Sequence, residues 1–315
     1  MKLEEMHSPN NDEPAVLIVG CVRNVMRTLL EDLDALRSAF LGVSVCVFLV
    51  ESDSTDDTVV LLSELAEIDE NFRFVSLGNL ADSLPSRTGR LAKCRNRYLQ
   101  ELDDYSGYDH VKHLCVADFD GVVQHLDSGD MRRLLSGVGW DALFANHHEY
   151  YYDIFALRHK EWCPNDYRVD VARLESQGFS HLSALDRALH RRMKSIPADS
   201  EWISVDSAFG GLALYRREAI RNSRYAGSYA GVDICEHVPF NESIKSTGGK
   251  LFICPRLIIG GNTEHTRYLG FVGRVRFFVV RALEVLFYAL RPSLAERRRV
   301  RRAQDLVGSP SNRAD

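Results

Sequence analysis

From Ala15 to Asp118 short runs of β-branched and aliphatic residues alternate with longer stretches whose apolar residues recur at helical spacing. Ala15 to Val19 predicts a strand, Gly20 to Asn24 a turn, and Val25 to Phe40 a helix on which leucines fall on one face. Val43 to Val50 predicts the second strand, ending in Glu-Ser-Asp-Ser-Thr-Asp-Asp-Thr, whose acids and hydroxyls favour a turn and then cap a helix through Leu65. Phe72 to Leu77 and Arg90 to Leu102 repeat the pattern, and a fourth strand begins near Val111; beyond it, strands are expected at Asp141 to Ala145, Ala208 to Tyr215, Leu251 to Cys254 and Leu257 to Ile259. Parallel neighbours need long crossover connections, so this alternation predicts an α/β fold with a mainly parallel sheet and helices on both faces. Ligands of such sheets sit beyond the carboxyl ends of the strands, where Gly20, Glu51 and Asp118 all fall.

The fourth run, Val-Lys-His-Leu-Cys-Val-Ala-Asp-Phe-Asp-Gly-Val-Val over 111–123, delivers two carboxylates, Asp118 and Asp120, to that edge. Residues two apart on an extended chain point the same way, so both acids address one object. Two carboxylates this close repel unless a hard divalent cation such as Mn2+ or Mg2+ lies between them and a phosphate-bearing ligand. The competing reading is that the pair caps a helix expected from about Ser128.

The chain has 315 residues, 45% of them hydrophobic, which is enough for one large domain or two small ones. A net charge of −5 argues against a nucleic-acid binder, which needs a basic excess to neutralise phosphates. Seven cysteines without a Cys-x-x-Cys pair fit buried reduced thiols and a cytoplasmic location. Residues 1–13 read as a polar, disordered lead-in without a signal-peptide core, 14–266 as the catalytic unit, and 267–315 as a C-terminal helical extension and basic tail. In that tail Phe277 to Leu290 is apolar but interrupted by Arg281 and Glu284, and arginines cluster over 297–302. It predicts either a helix lying on an anionic membrane surface, a peripheral contact, or a helix packed on the domain.

Gly20 to Asn24 lacks the Gly-x-Gly-x-x-Gly turn of a dinucleotide site. Arg87, Arg90 and Arg95, with Lys93 and Arg97, gather at the start of the third helix, where free N–H groups and the helix dipole favour an anion such as a diphosphate. A solvated, salt-bridged helix face is the alternative. Asp-Phe-Asp-Gly also resembles the nucleophile motif of haloacid-dehalogenase-like phosphatases. Those enzymes carry it on their first core strand and need a later Gly-Asp loop, and neither condition is met here.

A strand ending in Arg23-Asn24, a strand ending in Glu-Ser-Asp-Ser-Thr-Asp-Asp-Thr, the helix Arg-Thr-Gly-Arg-Leu-Ala-Lys-Cys-Arg-Asn-Arg and a strand ending in Asp-x-Asp, in that order, resemble the GT-A-fold nucleotide-sugar glycosyltransferases. Tyr-Tyr-Asp-Ile-Phe-Ala-Leu-Arg (151–158), Asp-Ser-Ala-Phe-Gly-Gly-Leu-Ala-Leu-Tyr (206–215) and Cys-Glu-His-Val-Pro-Phe-Asn (235–241) are similar to the fungal capsule-type group of cryptococcal α-1,3-mannosyltransferases. The resemblance spans roughly Val16 to His265. It implies a GDP- or UDP-sugar donor, a glycan or lipid-linked acceptor and a retaining outcome. It sets Asp118 and Asp120 as metal ligands completed by His265, and Glu51, Ser52 and Asp53 beside the base. The half before Gly121 would bind the donor and the half from Asp141 to 266 the acceptor. Glu51-Ser52 stands where the family usually has an acidic pair. A catalytically silent sugar-nucleotide or glycan-binding protein is the alternative from a different class.

Cleaving a sugar-to-phosphate bond leaves extra negative charge on the diphosphate, which a cation and arginines stabilise as it develops. An inverting enzyme further needs a carboxylate base at the acceptor hydroxyl. Glu236 and Asp233, with Asp206 behind them, are the candidates, against a capping or ion-pairing role for each. His147 and His148, adjacent on a strand, point to opposite faces and do not share an ion, which leaves His148 a surface or sugar-contacting role. Tyr151 and Tyr152 are candidates to stack on a sugar ring, with at least one tyrosine of 150–152 in the core.

Overall fold

The first apolar run forms β1 (Ala15–Val22), and in the computed structural model, which describes residues 15–124, 126 and 131–260, it pairs in parallel with two neighbours. In chain order there follow α1 (Leu29–Ala39), β2 (Ser44–Glu51), α2 (Thr58–Ile68), β3 (Phe72–Ser76), α3 (Arg87–Asp104), β4 (His113–Ala117) and α4 (Met131–Ser136). The second half contributes β5 (Ala142–His147), α5 (Tyr167–Ser176), α6 (His181–Ala188), β6 (Ile203–Ser204), β7 (Leu212–Arg216), α7 (Arg217–Ile220), β8 (Ser228–Tyr229), β9 (Val232–Asp233), α8 (His237–Ser246) and β10 (Leu251–Ile259). The lead-in over 1–13, the start of the helix expected from Ser128, His265 and the tail from 267 lie outside the described residues.

Eight strands form one sheet in the order β3-β2-β1-β4-β7-β5-β10-β6. β7 runs antiparallel to both β4 and β5, and β6 antiparallel to β10; the other pairings are parallel. The expected α/β class with a mainly parallel sheet is therefore what the structure shows. Successive residues of β1 feed opposite layers: Leu17 and Val19 pack with α3 residues such as Tyr98, Val16 and Ile18 with α1 residues such as Leu33. Burial on both faces explains why these strands read as unbroken apolar runs. All seven cysteines are free thiols, six of them buried.

Several boundaries differ from the sequence reading. β1 continues three residues past Val19, because Gly20 does not turn the chain but makes room: a Cβ there would lie 2.4 Å from the Phe119 ring. The two strands expected at Leu251–Cys254 and Leu257–Ile259 are one strand, β10, whose register on β5 shifts between Ile253 and Ile258. The strand expected from Ala208 starts only at Leu212, since Gly210 and Gly211 take φ of +74° and +91°.

His113 in β4 is 4% exposed, lies against Trp140 at 5.7 Å between ring centroids, and has no hydrogen-bond partner on either ring nitrogen among the described residues. Burial, with Arg216 and Lys112 nearby, pushes its pKa down to about 4. The unfolded chain takes up this proton below a pH of about 6.5, the folded chain only below about 4. Folding stability from this residue is therefore complete above that window and lost as pH falls through it, by about 1.4 kcal/mol per pH unit. Urea unfolding of the wild type and His113→Leu at pH 7, 6 and 5 should show the wild type losing ground progressively, by about half that rate between pH 7 and 6 and close to the full rate between 6 and 5. Parallel pH profiles would contradict the account.

Candidate active site

β1, β2 and β4 end at one edge of the sheet, and the antiparallel β7 begins there. The Asp118 N–H donates to the Gly211 carbonyl at 2.9 Å, so the segment leaving β4 is pinned to the Gly210–Gly211 turn. Phe119 is buried between the two acids, while Asp118 is half-buried and Asp120 exposed. Both acids line one cleft, as the two-residue spacing requires. Gly121 reverses the chain at φ +89°, a conformation other residues adopt only with strain. From below, the Thr28 hydroxyl donates to the Phe119 carbonyl at 2.8 Å, and the Gly121 N–H donates to Asp32 Oδ2 at 3.1 Å. α4 is described from Met131, and the cap of the helix expected from Ser128 lies outside the described residues.

The cleft has a volume of about 690 Å3, within the range of small-ligand sites. Arg87, Leu91 and Arg95, four residues apart on α3, form one wall. Glu236 and His237 at the start of α8, Phe209, and Tyr152 with Asp153 close it. Arg95 is 4% exposed and spans two acids: its Nε donates to Glu236 Oε1 at 3.1 Å, and Nη2 lies 3.7 Å from Asp118 Oδ1. Its guanidinium also lies over the rings of Phe209 and Tyr225, at 5.1 and 5.6 Å. Desolvation lifts the Asp118 carboxyl to about 7, against the pull of Arg95 and with a further push from Asp120, Asp153 and Glu236. The side chain keeps 39% of its surface open to the cleft, so solvent screening moderates the rise.

Other residues singled out from the sequence fall in three places. Arg23, Asn24, Glu51, Ser52 and Asp53 lie together where β1 and β2 end, laced to one another. Arg23 Nε donates to the Asp53 carbonyl at 3.1 Å and Asn24 Oδ1 accepts from the Thr55 N–H at 2.7 Å. Glu51 is buried, accepting from the Ser54 N–H at 2.9 Å and from the Ser76 hydroxyl, and Ser52 contacts the Cys94 thiol at 3.6 Å. Arg90 points to this cluster and not to the two acids: its Nη1 donates to the carbonyls of Leu84 and Pro85, and Nε lies 3.8 Å from Asp53 Oδ2. The helix N-terminus expected to offer open N–H groups is partly closed, because the Ser86 side chain accepts from Gly89 and donates to Asp233.

Asp233 thus sits on the β8–β9 hairpin beside Ser86, outside the cleft lining. Asp206 is exposed on the surface, 3.6 Å from Lys245 Nζ, and also does not border the cleft. Tyr151 is fully buried core, its hydroxyl accepting from the Phe209 N–H, whereas Tyr152 borders the cleft with its ring 4.3 Å from His147. His147, the last residue of β5, is buried, whereas His148 falls just past the end of the strand, not on it as expected, and is exposed.

The sequence reading missed Asp153, whose carboxylate accepts from the Gly210 N–H at 3.0 Å and the Ala156 N–H at 3.2 Å while bordering the cleft. An acid interrupting an aromatic run was its only signal. It also missed Asp32, buried in the first turn of α1, where helical periodicity alone marks an acid as solvent-facing.

No protein-family model and no curated protein matches the chain. Among solved structures, a mannosyltransferase from Pyrobaculum calidifontis in complex with GDP-Man and Mn2+ is similar with a TM-score of 0.45 and 15% identity, over 88% of this chain and 66% of that one. TarS 1–349 from S. aureus has a TM-score of 0.43 and 12% identity, over 78% and 59%. Glucosyl-3-phosphoglycerate synthase from Mycobacterium tuberculosis, in complex with Mn2+, UDP and phosphoglyceric acid, has 0.35 and 16%, over 78% and 68%. The chain therefore spans less than two thirds of the length of the first two. TarS 1–349 is also solved in complex with UDP, at a TM-score of 0.42 and 11% identity.

Among the described residues no three His, Cys, Asp or Glu side chains gather around one point. Asp118 and Asp120 nevertheless fit a hard divalent cation. They are oxygen donors open to the cleft, and Mg2+-type ions are commonly held by one or two carboxylates with substrate phosphates and water in the remaining positions.

Proposed function

We propose that the chain is a metal-dependent glycosyltransferase that moves a sugar from a nucleoside-diphosphate sugar to an acceptor hydroxyl. The observation that carries this reading is the convergence of Asp118, Asp120, Glu236 and Arg87 on one cleft at the carboxyl edge of the sheet. Asp118 and Asp120 would hold Mn2+ or Mg2+, whose charge offsets that of the departing diphosphate. Arg87, exposed at the first position of α3, is placed to meet phosphate oxygens at the rim. Arg95 acts instead as the fixed counter-charge that keeps Asp118 and Glu236 side by side. Glu236 is the acid best placed to act on the sugar or the acceptor, since Asp233 and Asp206 stand outside the cleft. Tyr152, which borders the cleft, would pack against a bound sugar.

The sequence resemblance extends the proposal to a GDP- or UDP-linked hexose, mannose foremost, to a glycan or lipid-linked acceptor, and to a retaining outcome. Among the described residues no helix is long and apolar enough to cross a membrane. A panel of GDP- and UDP-sugars, each with and without Mn2+, tests the reading by thermal stabilisation, because a ligand that binds only the folded state raises its apparent stability by mass action. At a ligand concentration of 100 times Kd the gain is about 2.7 kcal/mol. The expected result is stabilisation by one donor only when Mn2+ is present, with release of nucleoside diphosphate on adding acceptor. Release of inorganic phosphate, or no response to any nucleotide, would overturn it.

A further inference from the structure

Asp32 is fully buried in α1, where the Gly121 N–H donates to its Oδ2 at 3.1 Å and the Gln124 side chain lies beside the carboxylate. Burying a carboxylate is costly even when it is hydrogen-bonded, so one placed here serves something that offsets the cost. One turn earlier, Thr28 donates to the Phe119 carbonyl. Residues four apart stack on one face of a helix, so the first turns of α1 grip the loop at two backbone groups, one on each side of Asp120. They do so across 91 and 89 residues of sequence. The grip falls where the chain reverses at Gly121, so it governs the direction in which Asp120 leaves the loop.

We propose that Asp32 is a positioning residue that, with Thr28, holds the Asp118–Asp120 loop in the geometry that receives a divalent cation. The inference rests on the proposed role of that loop. Asp32 touches neither cation nor donor; it acts through the backbone of Gly121. Outer-shell groups of this kind set the orientation of metal-binding side chains, and their loss typically lowers metal affinity by roughly 10- to 100-fold.

The test is Mn2+ affinity of the full chain, read from the paramagnetic resonance of free Mn2+ in the presence of GDP or UDP, with circular dichroism to check the fold. Asp32→Leu should weaken Mn2+ binding by roughly 10-fold or more. Asp32→Asn, which keeps an acceptor oxygen for the Gly121 N–H, should stay within about threefold of wild type, the rescue that separates positioning from mere bulk. If Asp32→Leu does not fold, Thr28→Val takes its place and should weaken binding by at least about threefold. Folded Asp32→Leu or Thr28→Val with wild-type affinity would overturn the positioning role while the functional reading stands. An Asn variant as weak as Leu would show that the charge and not the hydrogen bond is used, and overturns it equally. A wild type that binds no Mn2+ with either nucleotide would remove both the functional reading and this inference.

Discussion

Replacing Arg95 with methionine is expected to lower folding stability by roughly 3 to 5 kcal/mol, the cost of breaking a buried ion pair by removing one partner. Its partner Glu236 is 5% exposed and receives the Arg95 Nε at 3.1 Å, so the variant strands a carboxylate away from water. Asp118 suffers less, because its open side can reach solvent in the cleft. Lost contacts with Phe209 and Tyr225 add the weaker attraction of a cation over aromatic faces, about 0.5 to 2 kcal/mol at most. Methionine keeps most of the volume, so a cavity is not the main effect. Adding Glu236→Gln to Arg95→Met should recover much of the loss, since no buried charge then lacks a partner. Urea unfolding of the four proteins measures both. A loss below about 1 kcal/mol for Arg95→Met would mean that water reaches Glu236 and the pair behaves as a surface bridge.

That Arg95 is engaged this way marks the boundary between what the sequence makes legible and what it does not. Its basic character and its place on α3 follow from local pattern, but its partner Glu236 lies 141 residues away, and no periodicity links the two. The sheet was legible because β-branched runs buried on both faces leave a continuous apolar signature, and the Asp118–Asp120 pair because alternation along an extended chain is a local rule. Asp206 was a candidate behind Glu236 and Asp233, two residues before a strand expected from Ala208. The positive φ of Gly210 and Gly211 delays that strand to Leu212 and leaves Asp206 at the surface beside Lys245. Tyr151 and Tyr152 have the same residue type and neighbouring positions, yet one is core and the other borders the cleft, a distinction that only tertiary packing makes. Asp32 and Asp153 were invisible for a shared reason: each is fastened to the backbone of a distant turn, at Gly121 and at Gly210.

Asp120→Asn is expected to abolish Mn2+-dependent binding of GDP or UDP while leaving the fold intact. The carboxylate is exposed, and surface changes of this kind usually move stability by no more than about 0.5 kcal/mol. Asparagine keeps the shape and an oxygen but not the charge, so what is lost is attraction for a dication and not packing. Because outer-shell groups already account for roughly 10- to 100-fold in metal affinity, a direct ligand should exceed that range. Asp118→Asn provides the contrast. It removes a carboxylate repelled by Asp120, Asp153 and Glu236, and leaves Arg95 with Glu236, so the cation-free protein should keep its stability while metal-dependent binding falls. Titrating Mn2+ against GDP or UDP with the wild type and both variants, alongside urea unfolding, separates the two quantities. If both variants bind nucleotide with unchanged Mn2+ dependence, the two acids are not the cation site. Arg87 and the backbone around the cleft would then have to carry the phosphate alone, and the case for a transferase would lose its central observation.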